Sequence, residues 1–85
     1  LDEAEKLFLR AIKLNPNNFI PYNNLGTVYT EKGEYIKALP FYLNSYNLNP
    51  NFAPVAYNIS NIYMFLGNME ESKRFRSIGD EIKKR

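Results

Sequence analysis

One four-residue run occurs twice in this chain. Leu14-Asn15-Pro16-Asn17 returns as Leu48-Asn49-Pro50-Asn51, thirty-four positions on, and recurrence at such a period means copies of one supersecondary unit stacked on one another. The same step carries Ala4 and Phe8 onto Ala38 and Tyr42, and Leu25, Tyr29 and Gly33 onto Ile59, Tyr63 and Gly67. Essentially the whole chain falls under the repeat. Within each copy the apolar spacing is helical, as in Ala4, Leu7, Phe8, Ala11, Ile12 and Leu14, which recur at three and four positions.

Punctuation then divides the chain into five expected helices, about 2–15, 19–32, 34–48, 53–66 and 69–83. Asp2, Glu3 and Glu5 open the first and Lys13 closes it, each suited to the helix dipole. Pro16 stops it, because proline disfavours helix at the residue before it. Pro21 and Pro54 fall in first turns, where a missing N–H costs nothing. Gly33 and Gly67 suit left-handed helix ends, and Asn51 is expected to cap the fourth helix. Pro40 falls well inside the third helix and is expected on its solvent side, between core residues Leu39 and Phe41. Three columns of the alignment hold only small residues: Gly26 with Ser60; Ala4, Ala38 and Ser72; Ala11, Ser45 and Gly79. They predict close helix crossings.

Tyr22, Leu25-Gly26, Tyr29, Ala38, Tyr42 and Pro50 follow the pattern aromatic-x2-Leu-Gly-x2-Tyr…Ala-x3-aromatic…Pro. The chain thus resembles the tetratricopeptide repeat family. The resemblance implies an all-α fold of antiparallel helix-turn-helix repeats stacked as a right-handed superhelix. Residues 1–18 become the second helix of a truncated repeat, 19–52 a full repeat and 53–85 a second repeat. A start inside a helix without Met leads to the expectation of a fragment from a longer array. The fifth helix puts Arg76, Asp80 and Lys84 where its predecessors have apolar residues and proline, on a face expected to meet a following repeat. That charged face reads as a polar cap ending the array, with Phe75, Ile78 and Ile82 turned inward.

Composition narrows the function. The net charge is +2 with bases and acids mixed, so no basic patch for nucleic acid is visible. No run is long and apolar enough for a membrane span, and neither a span nor a leader is expected within these residues. Cys and His are both absent, which removes the usual zinc ligands and general base. Glu31, Glu34, Glu70 and Glu71 lie at helix ends and turns without catalytic companions and read as solvated charge. No enzyme activity, cofactor or metal is expected. A cytoplasmic location is the default expectation.

In the family, the first helices of successive repeats line a concave groove that takes extended peptides. By that resemblance Ile20, Asn23, Asn24, Thr27 and Thr30 point inward, followed by Pro54, Tyr57, Asn58, Asn61 and Met64. The groove is neutral and amide-rich. Asn24 and Asn58 stand one period apart, and an amide pairs with a peptide's C=O and N–H whatever its side chains. Members such as O-linked N-acetylglucosamine transferase carry an asparagine ladder at this position; an Asn-rich chain also produces the coincidence without it. The carboxylate clamp of chaperone-tail binders needs a base at position two, where this chain has Ile20 and Pro54. Tyr57 and Met64 read either as apolar anchors or as packing. The expected function is a non-catalytic protein-interaction module binding a partner's extended segment through Asn23, Asn24, Thr27, Tyr57, Asn58, Asn61 and Met64. The alternatives are a scaffold or oligomerisation element, with Ala4, Phe8 and Ala11 of the first helix forming a homodimer contact, or the repeat portion of a larger enzyme such as a glycosyltransferase.

Overall fold

The computed structural model describes residues 2–85. Five helices follow one another: α1 (Asp2–Leu14), α2 (Phe19–Glu31), α3 (Tyr35–Leu48), α4 (Ala53–Phe65) and α5 (Met69–Lys84). All five expected helices are present, each end within a residue of its expected place. Short turns force consecutive helices antiparallel. α2 pairs with α3 and α4 with α5, while α1 packs on α2 and α3 on α4. The Cα envelope of 32 × 28 × 14 Å is a slab two helices deep.

The turns repeat in atomic detail. In both Asn-Pro-Asn turns the first asparagine's Oδ1 accepts from the second's N–H, Asn15 from Asn17 and Asn49 from Asn51, at 3.2 Å each. At the other edge Gly33 (φ 78°) and Gly67 (φ 83°) adopt the left-handed conformation. There Glu34 N–H reaches the Tyr29 carbonyl at 2.9 Å and Asn68 N–H the Tyr63 carbonyl at 2.8 Å. These bonds satisfy carbonyls that the helix ends leave open.

Helix starts differ between the repeats. Asn18 caps α2 by accepting from Ile20 N–H, and Asn68 caps α5 by accepting from Glu71 N–H. Asn51 does not cap α4. The cap position is Phe52, the counterpart of Asn18 one period on, and it offers no side-chain bond. Its ring instead meets Phe19 at 5.1 Å between centroids, and Asn51 Oδ1 accepts from Arg85 Nη1 at 2.8 Å.

Leu25, Tyr29, Ala38, Tyr42, Val55, Ile59, Ile62 and Phe75 form the core. The small columns lie at the crossings, with Ala38, Ser45 and Ser60 fully buried. Serine survives there because each hydroxyl finds a carbonyl, Ser45 that of Phe19 at 2.8 Å and Ser60 that of Ser72 at 2.7 Å. Gly26 leaves room for the Tyr42 ring, whose atoms would lie 2.5 Å from any Cβ placed there. In the second repeat the roles change helix: Gly79 of α5 makes room for Tyr57 of α4, at 2.8 Å.

Pro40 is exposed between half-buried Leu39 and Phe41, and α3 runs on through it. Its missing N–H deprives the Ile36 carbonyl of a helical donor. Two expectations need correction. Tyr42 and Tyr46 lie one period before Arg76 and Asp80, on the face expected to meet a following repeat, but they part company: Tyr42 turns into its own repeat over Gly26 while Tyr46 meets Phe75 of the next edge-on at 5.6 Å. Phe8 is half-buried against the core, and the open leucines of α1 are Leu7, Leu9 and Leu14, 62%, 44% and 80% exposed. With α1 packed on α2 and Phe8 against the core, Leu7 and Leu14 mark the helix face left uncovered.

Candidate functional site

α2 and α4 occupy equivalent places in successive repeats, and one bond joins their faces. Asn58 Nδ2 donates to Asn23 Oδ1 at 3.0 Å. The Asn58 amide therefore meets Asn23 across the repeat junction and does not stand as a free copy of Asn24. Asn24 is half-buried, with no side-chain hydrogen bond recorded among the described residues. Asn61, Met64 and Ile20 are exposed on the same helices, as is Pro54.

The remaining expected groove residues are partly engaged inside the fold. Thr27 Oγ1 donates back to the Asn23 carbonyl at 3.2 Å or pairs with the Tyr42 hydroxyl at 2.9 Å. Thr30 bonds the Gly26 carbonyl at 2.7 Å. The Tyr57 hydroxyl donates to Asp80 Oδ1 at 2.6 Å, which pushes the tyrosine's pKa up, with lesser help from burial. Lys83 Nζ lies 5.7 Å from the centre of the same ring. Tyr57 is thus drawn toward α5. Asp80 serves this contact from the exposed side of α5, where Arg76 and Lys84 are also exposed.

A second polar cluster ties α1 down. Tyr29 donates to Glu5 Oε2 at 2.5 Å, and Lys32 Nζ reaches Glu5 at 3.0 Å and Asp2 at 3.2 Å. The Tyr29 hydrogen bond, then that of Lys32, holds the Glu5 carboxyl below its ordinary range. Tyr29 is pushed up to about 12 by Glu5 and by burial. Lys32 is raised by Glu5 and Asp2. These are structural pairs, and no His/Cys/Asp/Glu group among the described residues is placed to hold a metal.

Three depressions open elsewhere, of about 570, 540 and 230 Å³, and none is lined by the expected groove residues. The face of α2 and α4 is open surface, suited to a long ligand lying across it and not to an enclosed small molecule. The depression of about 570 Å³ lies at the glycine-turn edge, lined by Gly33, Glu34, Tyr35, Ile36, Lys37 and Leu66. Sequence reasoning passed over that edge. The signal was present in the period, which puts Phe65 and Leu66 where the preceding repeat has Glu31 and Lys32.

Models of the tetratricopeptide repeat match residues 7–39 and 53–75. The chain belongs to the tetratricopeptide repeat family. Proteins similar to it include Photosystem I assembly protein Ycf3 of Acaryochloris marina, 31% identical over 75 residues, which are 80% of this chain and 45% of that protein. The Ycf3 of Rippkaea orientalis is 35% identical over 69 residues, 76% of this chain and 39% of that protein. Among solved structures, one of MamA superposes with a TM-score of 0.90 at 26% identity, covering 99% of this chain and 48% of MamA. Another MamA structure gives 0.90 at 28% identity over 94% of this chain and 47% of its own. The chain spans less than half the length of each of these relatives. The MamA structures share the all-α helical repeat fold of this chain, and no described helix is long and apolar enough to cross a membrane.

Proposed function

We propose that these repeats form a non-catalytic protein-interaction module that holds an extended segment of a partner protein against α2 and α4. Asn23, Asn24, Thr27, Tyr57, Asn58, Asn61 and Met64 are the residues that would touch it. The observation that carries the reading is the Asn23–Asn58 bond, which fixes two amides at the repeat junction while leaving Asn24 beside them without a recorded partner. An amide so placed pairs with a peptide unit in either sense, and selects backbone over side chains. With no base at Ile20 or Pro54, a terminal carboxylate has no clamp there. Peptides selected from a displayed random library against the whole chain should lose about tenfold in affinity with Asn24→Ala, near the upper end for one hydrogen bond. Asn58→Ala also breaks the Asn23 bond, so Asn24 is the cleaner probe. Unchanged affinity in both variants would remove the ladder.

Assembly through α1 is the second reading, favoured by the exposure of Leu7 and Leu14 on a helix that lacks a partner on that face. The two Ycf3 relatives are named as assembly proteins, which suits a scaffold of this kind. Leu14→Glu should then lower the sedimenting mass at high concentration without loss of helix. A wild-type monomer at that concentration refutes it.

A further inference from the structure

The two repeats close the same edge with opposite chemistry. In the first, Lys32 of α2 bridges Asp2 and Glu5 of α1. One period on, the positions of Glu31, Lys32 and Asp2 hold Phe65, Leu66 and Ile36. Phe65 packs on Tyr35 with centroids 4.7 Å apart, and Leu66 with Tyr35 and Ile36 walls the depression of about 570 Å³. The fold can evidently close this joint with ions. Nor do the apolar groups gain much burial, since Ile36 is 77% exposed, Phe65 50% and Leu66 39%. A contiguous exposed cluster of this kind marks a docking surface.

Its surroundings specify the occupant. Glu34 lines the depression, and Glu31 and Glu70 occupy the columns of Phe65 and Ile36 in the neighbouring helices. All three are exposed, and none enters an ion pair among the described residues. Lys32 is paired with Asp2 and Glu5, and Lys37, which lines the depression, lies with its Nζ 4.6 Å from the centre of the Tyr29 ring. Pro40 adds a second, independent feature. It cannot donate to the Ile36 carbonyl, so an acceptor without its helical donor lies on the same exposed side of α3 as the apolar cluster. Glu34 in the lining, with Glu31 and Glu70, exposed and unpaired among the described residues, at the neighbouring helix ends, outnumbers Lys37, the one base among the described residues of the lining, and together with the Ile36 carbonyl fits a cationic, donor-rich ligand.

We propose that this glycine-turn edge is a second docking surface, separate from the α2–α4 face, for a partner segment with one or two large apolar side chains flanked by lysine or arginine. The patch is small, so the contact is weak and transient by itself. It adds to whatever the α2–α4 face holds by raising effective concentration.

The test is an amide chemical-shift titration of the whole chain with a synthetic peptide of leucine and lysine in amphipathic helical spacing. Shifts are expected at Tyr35, Ile36, Lys37 and Leu66, with affinity falling as salt rises. Ile36→Ser and Leu66→Ser should each weaken binding about tenfold, the equivalent of losing most of one buried aliphatic side chain. Pro40→Ala gives the Ile36 carbonyl its helical donor, and should weaken the peptide while raising the unfolding midpoint. The proposal is overturned by equal binding of the same peptide with glutamate for lysine, by indifference to Ile36→Ser, or by no shifts at all. Shifts centred on Asn24, Asn58 and Asn61 would overturn it too, while supporting the α2–α4 groove. Broadening of the edge resonances with protein concentration alone would assign the surface to a second copy and equally defeat it.

Discussion

Gly26→Ala places one methyl group against the Tyr42 ring, and the outcome follows from what that ring can do. A Cβ at position 26 would stand 2.5 Å from two ring carbons and 2.8 Å from a third. Contact needs roughly 3.5 Å or more, so the ring must retreat by about an ångström. Tyr42 is 3% exposed, and its hydroxyl lies 2.9 Å from Thr27 Oγ1 and 3.4 Å from Thr30 Oγ1. Retreat therefore strains the core and loosens these bonds. Overpacking costs about 1 to 3 kcal/mol and a weakened hydrogen bond about 1, against about 1 kcal/mol gained because alanine favours helix over glycine. The net expectation is a loss of about 1 to 3 kcal/mol, sizeable against the roughly 4 to 13 that a chain of this length holds. Urea unfolding followed by circular dichroism reads it as a lower midpoint at unchanged slope. The decisive control is Tyr42→Ala, which removes the obstacle. In that background Gly26→Ala should change sign and stabilise by up to about 1 kcal/mol. A loss that persists without the ring, or none with it, refutes the reasoning.

Further outcomes are expected elsewhere. Pro40→Ala should stabilise by about 1 to 3 kcal/mol, since the site is exposed and the Ile36 carbonyl regains a donor; a lower midpoint contradicts this. Docking of α1 should weaken at both ends of the pH scale, read as faster hydrogen exchange of α1 amides. Glu5 has a depressed folded pKa, so its contribution is present above the ordinary value of 4.5 and fades as pH falls through the lower folded value. Tyr29 is raised from 10.0 to about 12, so its contribution is whole below about 10 and fades as pH climbs from there through 12. Lys32, raised by the same Glu5 and by Asp2, loses its ion pairs on that side too, so Tyr29→Phe should shrink the alkaline limb to the share of Lys32, and an unaltered limb would show that Tyr29 does not hold α1. Gly79→Ala should cost less than Gly26→Ala, because Tyr57 is only half-buried and its ring has solvent to move into.

The helices were legible because a period of thirty-four states each boundary more than once. Gly33 and Gly67 mark the same end in successive units, and Asn15-Pro16-Asn17 and Asn49-Pro50-Asn51 the other. Side-chain partners were less legible, because equivalent backbone places carry unlike residues. Asn51 reads as a cap from its type, yet the period equates it with Asn17, and the capping place passes from Asn18 to Phe52. Asn24 and Asn58 align in sequence, but the neighbour that Asn58 meets in space is Asn23, one residue away from a simple ladder. Tyr57 sits in a groove column, and only Gly79 and Asp80 on another helix reveal that its ring turns toward α5. Column-by-column subtraction of one repeat from the next would have exposed the apolar edge at Phe65 and Leu66.

The central claim, that an extended protein segment lies across α2 and α4, is tested most directly by intermolecular nuclear Overhauser contacts in a complex with a selected peptide. The account predicts contacts from the side-chain amides of Asn24 and Asn58 to the peptide backbone, with Met64 and Asn61 beside its side chains. Contacts confined to the α3 and α5 side of the slab, with the Asn24 amide unmoved, would contradict it.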